Sequence, residues 1–110
     1  MNYRTTRIYV RSLELVELCA RVIRRLPPGH ASLADQLRRS VASVPLNFLE
    51  GGGRSTAADR RRFFSIASGS AHEVAGTLDV MKCFSVVTAD DLAAGHDLCD
   101  HIIAMLRRFH

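Results

Sequence analysis

The stretch Leu92-Ala93-Ala94-Gly95-His96-Asp97-Leu98-Cys99-Asp100-His101-Ile102-Ile103-Ala104-Met105-Leu106-Arg107-Arg108-Phe109 decides the fold class. Leu92, Gly95, Cys99, Ile102, Leu106 and Phe109 recur at spacings of three and four. That rhythm puts them on one stripe of an α-helix, with Ile103 widening it and Asp97, Asp100 and Arg107 left outside. A strand would need strict alternation, which is absent.

Working backwards, the same period recurs three times. From about Ala57 to Phe84, Phe63, Ala67, Ser70, Val74, Leu78 and Met81 make one stripe, with Phe64, Ala71 and Ala75 beside it. Ser68, Gly69, Ser70 and Gly76 are small and suggest close helix–helix approach there. From about Ser32 to Glu50, Leu33, Leu37, Val41, Val44 and Phe48 share a face; Pro45 within this pattern predicts a kink or a new turn. From about Ile8 to Leu26, Leu15, Cys19, Val22 and Leu26 point inward, with Val16 and Ile23 alongside.

The breaks agree with this division. Pro27-Pro28-Gly29 stops the first helix. Ser32-x-x-Asp35, Thr56-x-x-Asp59 and Thr88-x-x-Asp91 each offer a hydroxyl N-cap and a carboxylate in the first turn. Gly51-Gly52-Gly53 ends the second helix, with Gly51 expected as the left-handed residue. Connections this short force neighbouring helices to run antiparallel. The expected fold is therefore all-α, an antiparallel up-down four-helix bundle in one domain spanning 1–110.

Composition narrows the function. The 110 residues suffice for one domain, and 47% are hydrophobic. The net charge is +4, unevenly spread. Residues 1–62 hold twelve arginines against five acids, whereas residues 63–110 hold three bases against six acids. The basic half can meet the acidic half within the fold, across a subunit contact, or meet an acidic polymer. Fourteen of the fifteen bases are Arg, suited to bidentate pairing with carboxylate or phosphate. The three cysteines are odd in number, lack a CxxC spacing and sit in apolar helical patterns. They read as buried free thiols of a reducing compartment. Met1-Asn2-Tyr3-Arg4 has no apolar signal region, and no apolar run approaches the ~20 residues of a membrane span. A cytoplasmic protein is expected, with no membrane partner.

The stretch from Gln36 to Gly51, QLRRSVASVPLNFLEG, continues into Gly53-Arg54-Ser55 and is followed by Phe63-Phe64-Ser65-Ile66-Ala67-Ser68-Gly69-Ser70. Together these resemble the four-helix-bundle proteins encoded by intervening sequences of bacterial 23S rRNA genes. That family includes the accessory protein of diversity-generating retroelements. Its pattern is approximately QxRRAxxSIPxNIAEGxGR, then FLxIAxGSxxE. Pro45, Asn47, Glu50, Gly51, Gly53, Arg54, Ala67, Gly69, Ser70 and Glu73 fall on it, while Phe48-Leu49 and Ala71-His72 depart from it. The resemblance implies an up-down bundle assembled as a ring, a homopentamer. In one branch it implies a basic surface that binds nucleic acid and partners a reverse transcriptase.

Candidate sites follow from the residues themselves. Arg54, Arg60, Arg61 and Arg62 surround the expected start of the third helix, and Arg38 and Arg39 lie on the second. Cationic donors beside a Gly-rich turn and a helix N-terminus suit phosphate contacts to RNA or DNA. The competing reading is a structural oligomer whose arginines are used in subunit contacts. Pro45, Asn47, Glu50, Gly51, Gly69 and Ser70 are read as structural. Glu50 sits at a helix C-terminus, where the dipole disfavours it, so an arginine such as Arg54 or Arg39 should compensate. Gly51-Gly52-Gly53 lacks the lysine and the spacing of a phosphate loop. His96-x-x-Cys99, with His72 and His101, falls short of a metal set, and Ser65, Ser68 and Ser70 have no triad partners. No catalytic residue, metal or cofactor is expected.

Overall fold

Thr6, Thr56 and Thr88 each start a helix by the same device. The hydroxyl oxygen accepts the backbone N–H three residues on, from Tyr9 at 3.2 Å, Asp59 at 3.1 Å and Asp91 at 3.0 Å. The computed structural model of the chain describes residues 1–109. A short 3-10 turn, Tyr3–Thr5, leads into four helices: α1 Arg7–Arg24, α2 Ala31–Gly52, α3 Ala57–Cys83 and α4 Ala89–Arg108. Each helix packs on its neighbour in the chain, and α4 closes against α1. The result is an up-down antiparallel four-helix bundle with principal extents of 44 × 22 × 19 Å. No strand occurs among the described residues. Among the described residues no helix is long and apolar enough to cross a membrane.

The core follows the sequence stripes closely. Leu15, Cys19, Val22, Leu37, Val44, Phe48, Val74, Leu78, Met81, Cys99 and Ile102 are all essentially inaccessible. Leu92 and Phe109, at the two ends of the α4 seam, are partly buried and pack on the same core. Hydroxyls inside the helices are satisfied by carbonyls one turn back, Ser12 on Ile8 at 2.7 Å and Thr77 on Glu73 at 2.8 Å. No buried side-chain polar atom lacks a partner among the described residues.

Five local expectations need correction. Helix α2 begins at Ala31 with His30 as cap residue, not at Ser32, and His30 makes no side-chain cap bond. Gly29, at φ +99°, turns the chain so sharply that the helix starts at once. Gly51 is not left-handed; α2 runs on to Gly52 and Gly51 is buried. A Cβ on Gly51 would stand 2.7 Å from Cε1 of Phe64, so the glycine is needed for close approach and not for a turn. Of the two outcomes expected at Pro45, the new turn does not occur: α2 continues through it and its ring is buried. On α3 the buried stripe contains Phe64 where Phe63 was expected, and Thr77 joins it. Gly69 and Gly76 face outward with open space around them; the close α3–α4 approach is at Gly95, where a Cβ would meet Leu78 at 2.5 Å. In the isolated chain, Gly69→Ala and Gly76→Ala should each stabilise by about 0.5–1 kcal/mol, because alanine is the better helix former. Thermal melting of the dilute protein checks this.

The thiols divide differently from expectation. Cys19 and Cys99 are buried, but Cys83 is exposed, two residues past Met81 and therefore off the buried stripe. Burial pushes both inner thiols up to about 12, with smaller help from Cys99 on Cys19 and from Asp100 on Cys99. They stay protonated and unreactive at neutral pH. One thiol of three should react with Ellman's reagent in the native protein, and all three in denaturant. An unfolded thiol ionises near 9.0 while the folded pair holds its protons to about 12. Stability from these groups is therefore complete below pH 9 and falls between pH 9 and 12. Urea titrations across that window should show it.

Candidate nucleic-acid interface

Antiparallel order brings the starts of α1 and α3 and the ends of α2 and α4 to one end of the bundle. Aromatic contacts fix that end. Phe48 lies 5.5 Å from Tyr3, 5.5 Å from Phe64 and 5.3 Å from Phe109, centroid to centroid. Phe109 also meets Tyr3 at 5.7 Å and Phe64 at 5.5 Å. Four rings, one from each arm of the fold, thus knot the end together. Gly52 matters here as well: a Cβ would come within 2.7 Å of the Tyr3 ring.

Around this knot stand eight arginines, Arg4, Arg7, Arg54, Arg60, Arg61, Arg62, Arg107 and Arg108, with the carboxylates Glu50 and Asp59 among them, and Glu14 and Glu17, further along α1, share a surface hollow with Arg4. Arg54 pairs with Glu50 at 3.2 Å, as the helix-dipole argument requires of some arginine. Both partners are about half exposed, so the pair contributes little to stability. The Arg54 and Arg62 guanidiniums lie 4.6 and 4.5 Å from the Phe63 ring centre, which holds both in place. Arg60 donates to the Arg54 carbonyl at 3.1 Å. Arg4, Arg7, Arg61, Arg107 and Arg108 have no carboxylate within 4.0 Å among the described residues.

Of the six arginines singled out in the sequence, four gather here. Arg38 and Arg39 do not join them. They lie some fifteen residues before Arg54 on α2, about 22 Å away along the axis at 1.5 Å per residue. Arg38 is paired with Asp35 at 3.0 Å, and Arg39 donates to the Asp35 carbonyl at 3.3 Å and to Gln36 at 3.4 Å. Arg4, Arg7, Arg107 and Arg108 were not singled out. In an up-down bundle the odd helices start where the even helices end. Charge counted by helix end would have found them; charge counted by halves of the chain did not.

The opposite end mixes both signs. Asp35, Asp79, Asp90, Asp91 and Asp97 are interleaved there with arginines and Lys82. Arg25 meets Asp91 at 3.6 Å, so the basic and acidic halves do touch within the fold. His96 meets Asp79 at 2.7 Å across α3 and α4. No group of three metal-ligating side chains converges among the described residues.

The remaining motif residues have structural surroundings. The Asn47 amide donates to the Ser43 carbonyl at 2.9 Å and to its hydroxyl at 2.8 Å. The Ser43 hydroxyl in turn meets the Ser70 hydroxyl at 2.6 Å. Asn47 and Ser70 thus join α2 to α3 through Ser43. Gln36 and Glu73 add a second polar tie between the same helices. Pro45 and Gly51 are buried, whereas Gly69 is exposed.

The chain is similar in structure to a protein of unknown function from the S23 ribosomal protein family of Bacteroides thetaiotaomicron. The two share 19% identity at a TM-score of 0.84, over 92% of this chain and 95% of that one. At that identity the likeness speaks for the fold alone. No curated protein is detectably similar in sequence. A family model described as 23S rRNA-intervening sequence protein matches residues 4–108, nearly the whole length, and the chain belongs to that family.

Proposed function

We propose that the chain is a non-enzymatic, homo-oligomeric accessory protein that holds RNA or DNA by its phosphates at the arginine end of the bundle. The observation that carries this reading is the gathering of eight arginines around one end, where they outnumber the carboxylates Glu50, Asp59, Glu14 and Glu17 two to one. Guanidiniums in that number, most of them unpaired, suit a polyanion and carry no base information. The aromatic knot beneath them gives a firm base. On this reading the protein works in the cytoplasm as a scaffold for a nucleic-acid enzyme such as a reverse transcriptase.

Self-association, as a ring of five, is part of the proposal. It is supported by the family resemblance and by what the outward faces of α2 and α3 present. Leu46 is 63% exposed, and Val80 and Ile66 are 43% and 37% exposed. Gly69 and Gly76 lie open on the same side of α3 as Ile66 and Val80. Oily side chains flanking bare glycines suit a second helix laid against them. The competing reading is that the arginines meet the acidic end of a neighbouring copy.

Fluorescence anisotropy with labelled RNA and DNA at two salt concentrations tests the function. Binding that weakens steeply with salt supports it; no binding at low salt refutes it. Native mass spectrometry on the same samples reports subunit number and cargo together.

A further inference from the structure

Between α3 and α4, at the arginine end, lies an open cleft of about 220 Å³. Its floor is apolar, from Phe64, Leu106 and Phe109. Its walls carry the hydroxyls of Ser65 and Ser68, and Arg61 and Arg107 stand at its rim. Three features set this place apart from the rest of the surface. The helical serines at 12, 40, 43 and 70 have hydrogen-bond partners, whereas the hydroxyls of Ser32, Ser65 and Ser68 have none among the described residues, and of these only Ser65 and Ser68 share a cleft with aromatic rings. The two guanidiniums have no carboxylate within reach among the described residues. And Phe109, only partly buried, brings an aromatic ring to a charged surface.

We propose that this cleft receives one unstacked base of a single-stranded nucleic acid whose flanking phosphates lie on Arg61 and Arg107. The inference rests on the nucleic-acid reading above and deepens it by naming the strand state. A flat apolar ring needs an apolar or aromatic partner, which Phe109 and Leu106 provide. Its polar edge needs donors and acceptors, and a serine hydroxyl is both. Two such hydroxyls match any of the bases equally well, so the cleft takes a base without choosing among them. A duplex keeps its bases paired and stacked, and must spend unpairing energy to offer one. The site therefore favours single strands, loops and frayed ends over continuous double helix.

The test compares three labelled probes of equal length by anisotropy: single-stranded oligothymidylate, the same backbone without bases, and a duplex. The expected result is single-strand binding about tenfold tighter than the abasic strand, in line with one stacked base. Ser65→Leu with Ser68→Leu fills the cleft and leaves every charge in place; it should bring the two affinities together. Equal affinity for the base-bearing and abasic strands in the natural protein would overturn the cleft while leaving phosphate binding intact. Binding to none of the three would overturn both readings. A second measurement needs no variant: photocrosslinking of a 5-iodouracil strand, mapped by mass spectrometry. A crosslink at Phe109 or Phe64 supports the cleft, and crosslinks confined to other parts of the bundle refute it.

Discussion

Phe48→Ala should lower the stability of the fold by about 3–5 kcal/mol, the usual cost of removing a buried phenylalanine. The side chain is fully buried and touches the rings of Tyr3, Phe64 and Phe109, so the loss reaches three other side chains. Edge-on ring pairs add to simple area burial, which places this site toward the upper part of the range. Tyr3 and Phe109 belong to the two terminal segments; Phe109 would keep Phe64, but Tyr3 would lose the one helix-borne ring it meets. For a domain of this size each kcal/mol moves the melting temperature by roughly 4–8 °C, so the midpoint should fall by on the order of 20 °C. Phe48→Leu keeps most of the apolar volume and should cost roughly half as much or less. Urea and thermal denaturation of both variants check the prediction. A loss below about 1 kcal/mol for the alanine variant would mean that the four rings do not act as one contact.

The second large effect concerns charge. Arg60→Glu, Arg61→Glu and Arg62→Glu together should weaken nucleic-acid binding by more than about a hundredfold near 0.1 M salt. They should also reduce the salt slope by about 2–3, one step for each phosphate contact removed. Folding should survive, because Arg61 and Arg62 are exposed, Arg60 is only partly buried, and none of the three belongs to the core. The control is Arg38→Glu with Arg39→Glu. These sit far along α2 and are already engaged with Asp35 and Gln36, so affinity should change by no more than about threefold. Equal losses from the two sets would show that general attraction, and not the arginine end, governs binding. Anisotropy at several salt concentrations gives both numbers.

The fold was legible because its signals were local. A stripe with a 3.6-residue period needs no knowledge of its partner, and neither does a threonine cap. The misses lie where a local rule met a tertiary contact. Ser32 has the chemistry of a cap, but the turn at Gly29 had already begun the helix. Gly51 has the freedom to end a helix, yet Phe64 needs the space its side chain would fill. Gly69 and Gly76 suggested close approach, and only the packed bundle reveals that Gly95 is where two helices meet closely. The candidate interface was half legible for a related reason. Arg54, Arg60, Arg61 and Arg62 lie within nine residues of one another, so their neighbourhood is visible along the chain. Arg4 and Arg108 are about as far apart in sequence as two residues of this protein can be, and only the reversal of direction at each connection brings them together.

The position of the ring cluster has a consequence for motion. Amide protons in the last turns of α2 and α4 should exchange more slowly than those beside Pro27-Pro28-Gly29, where a single ring pair, His30 with Phe84, stands in place of the four-ring cluster. The guanidinium surface would then stand on the less pliable of the two ends. Little backbone freedom would then remain to be lost if a polyanion docked there, and fraying should begin at the opposite pole.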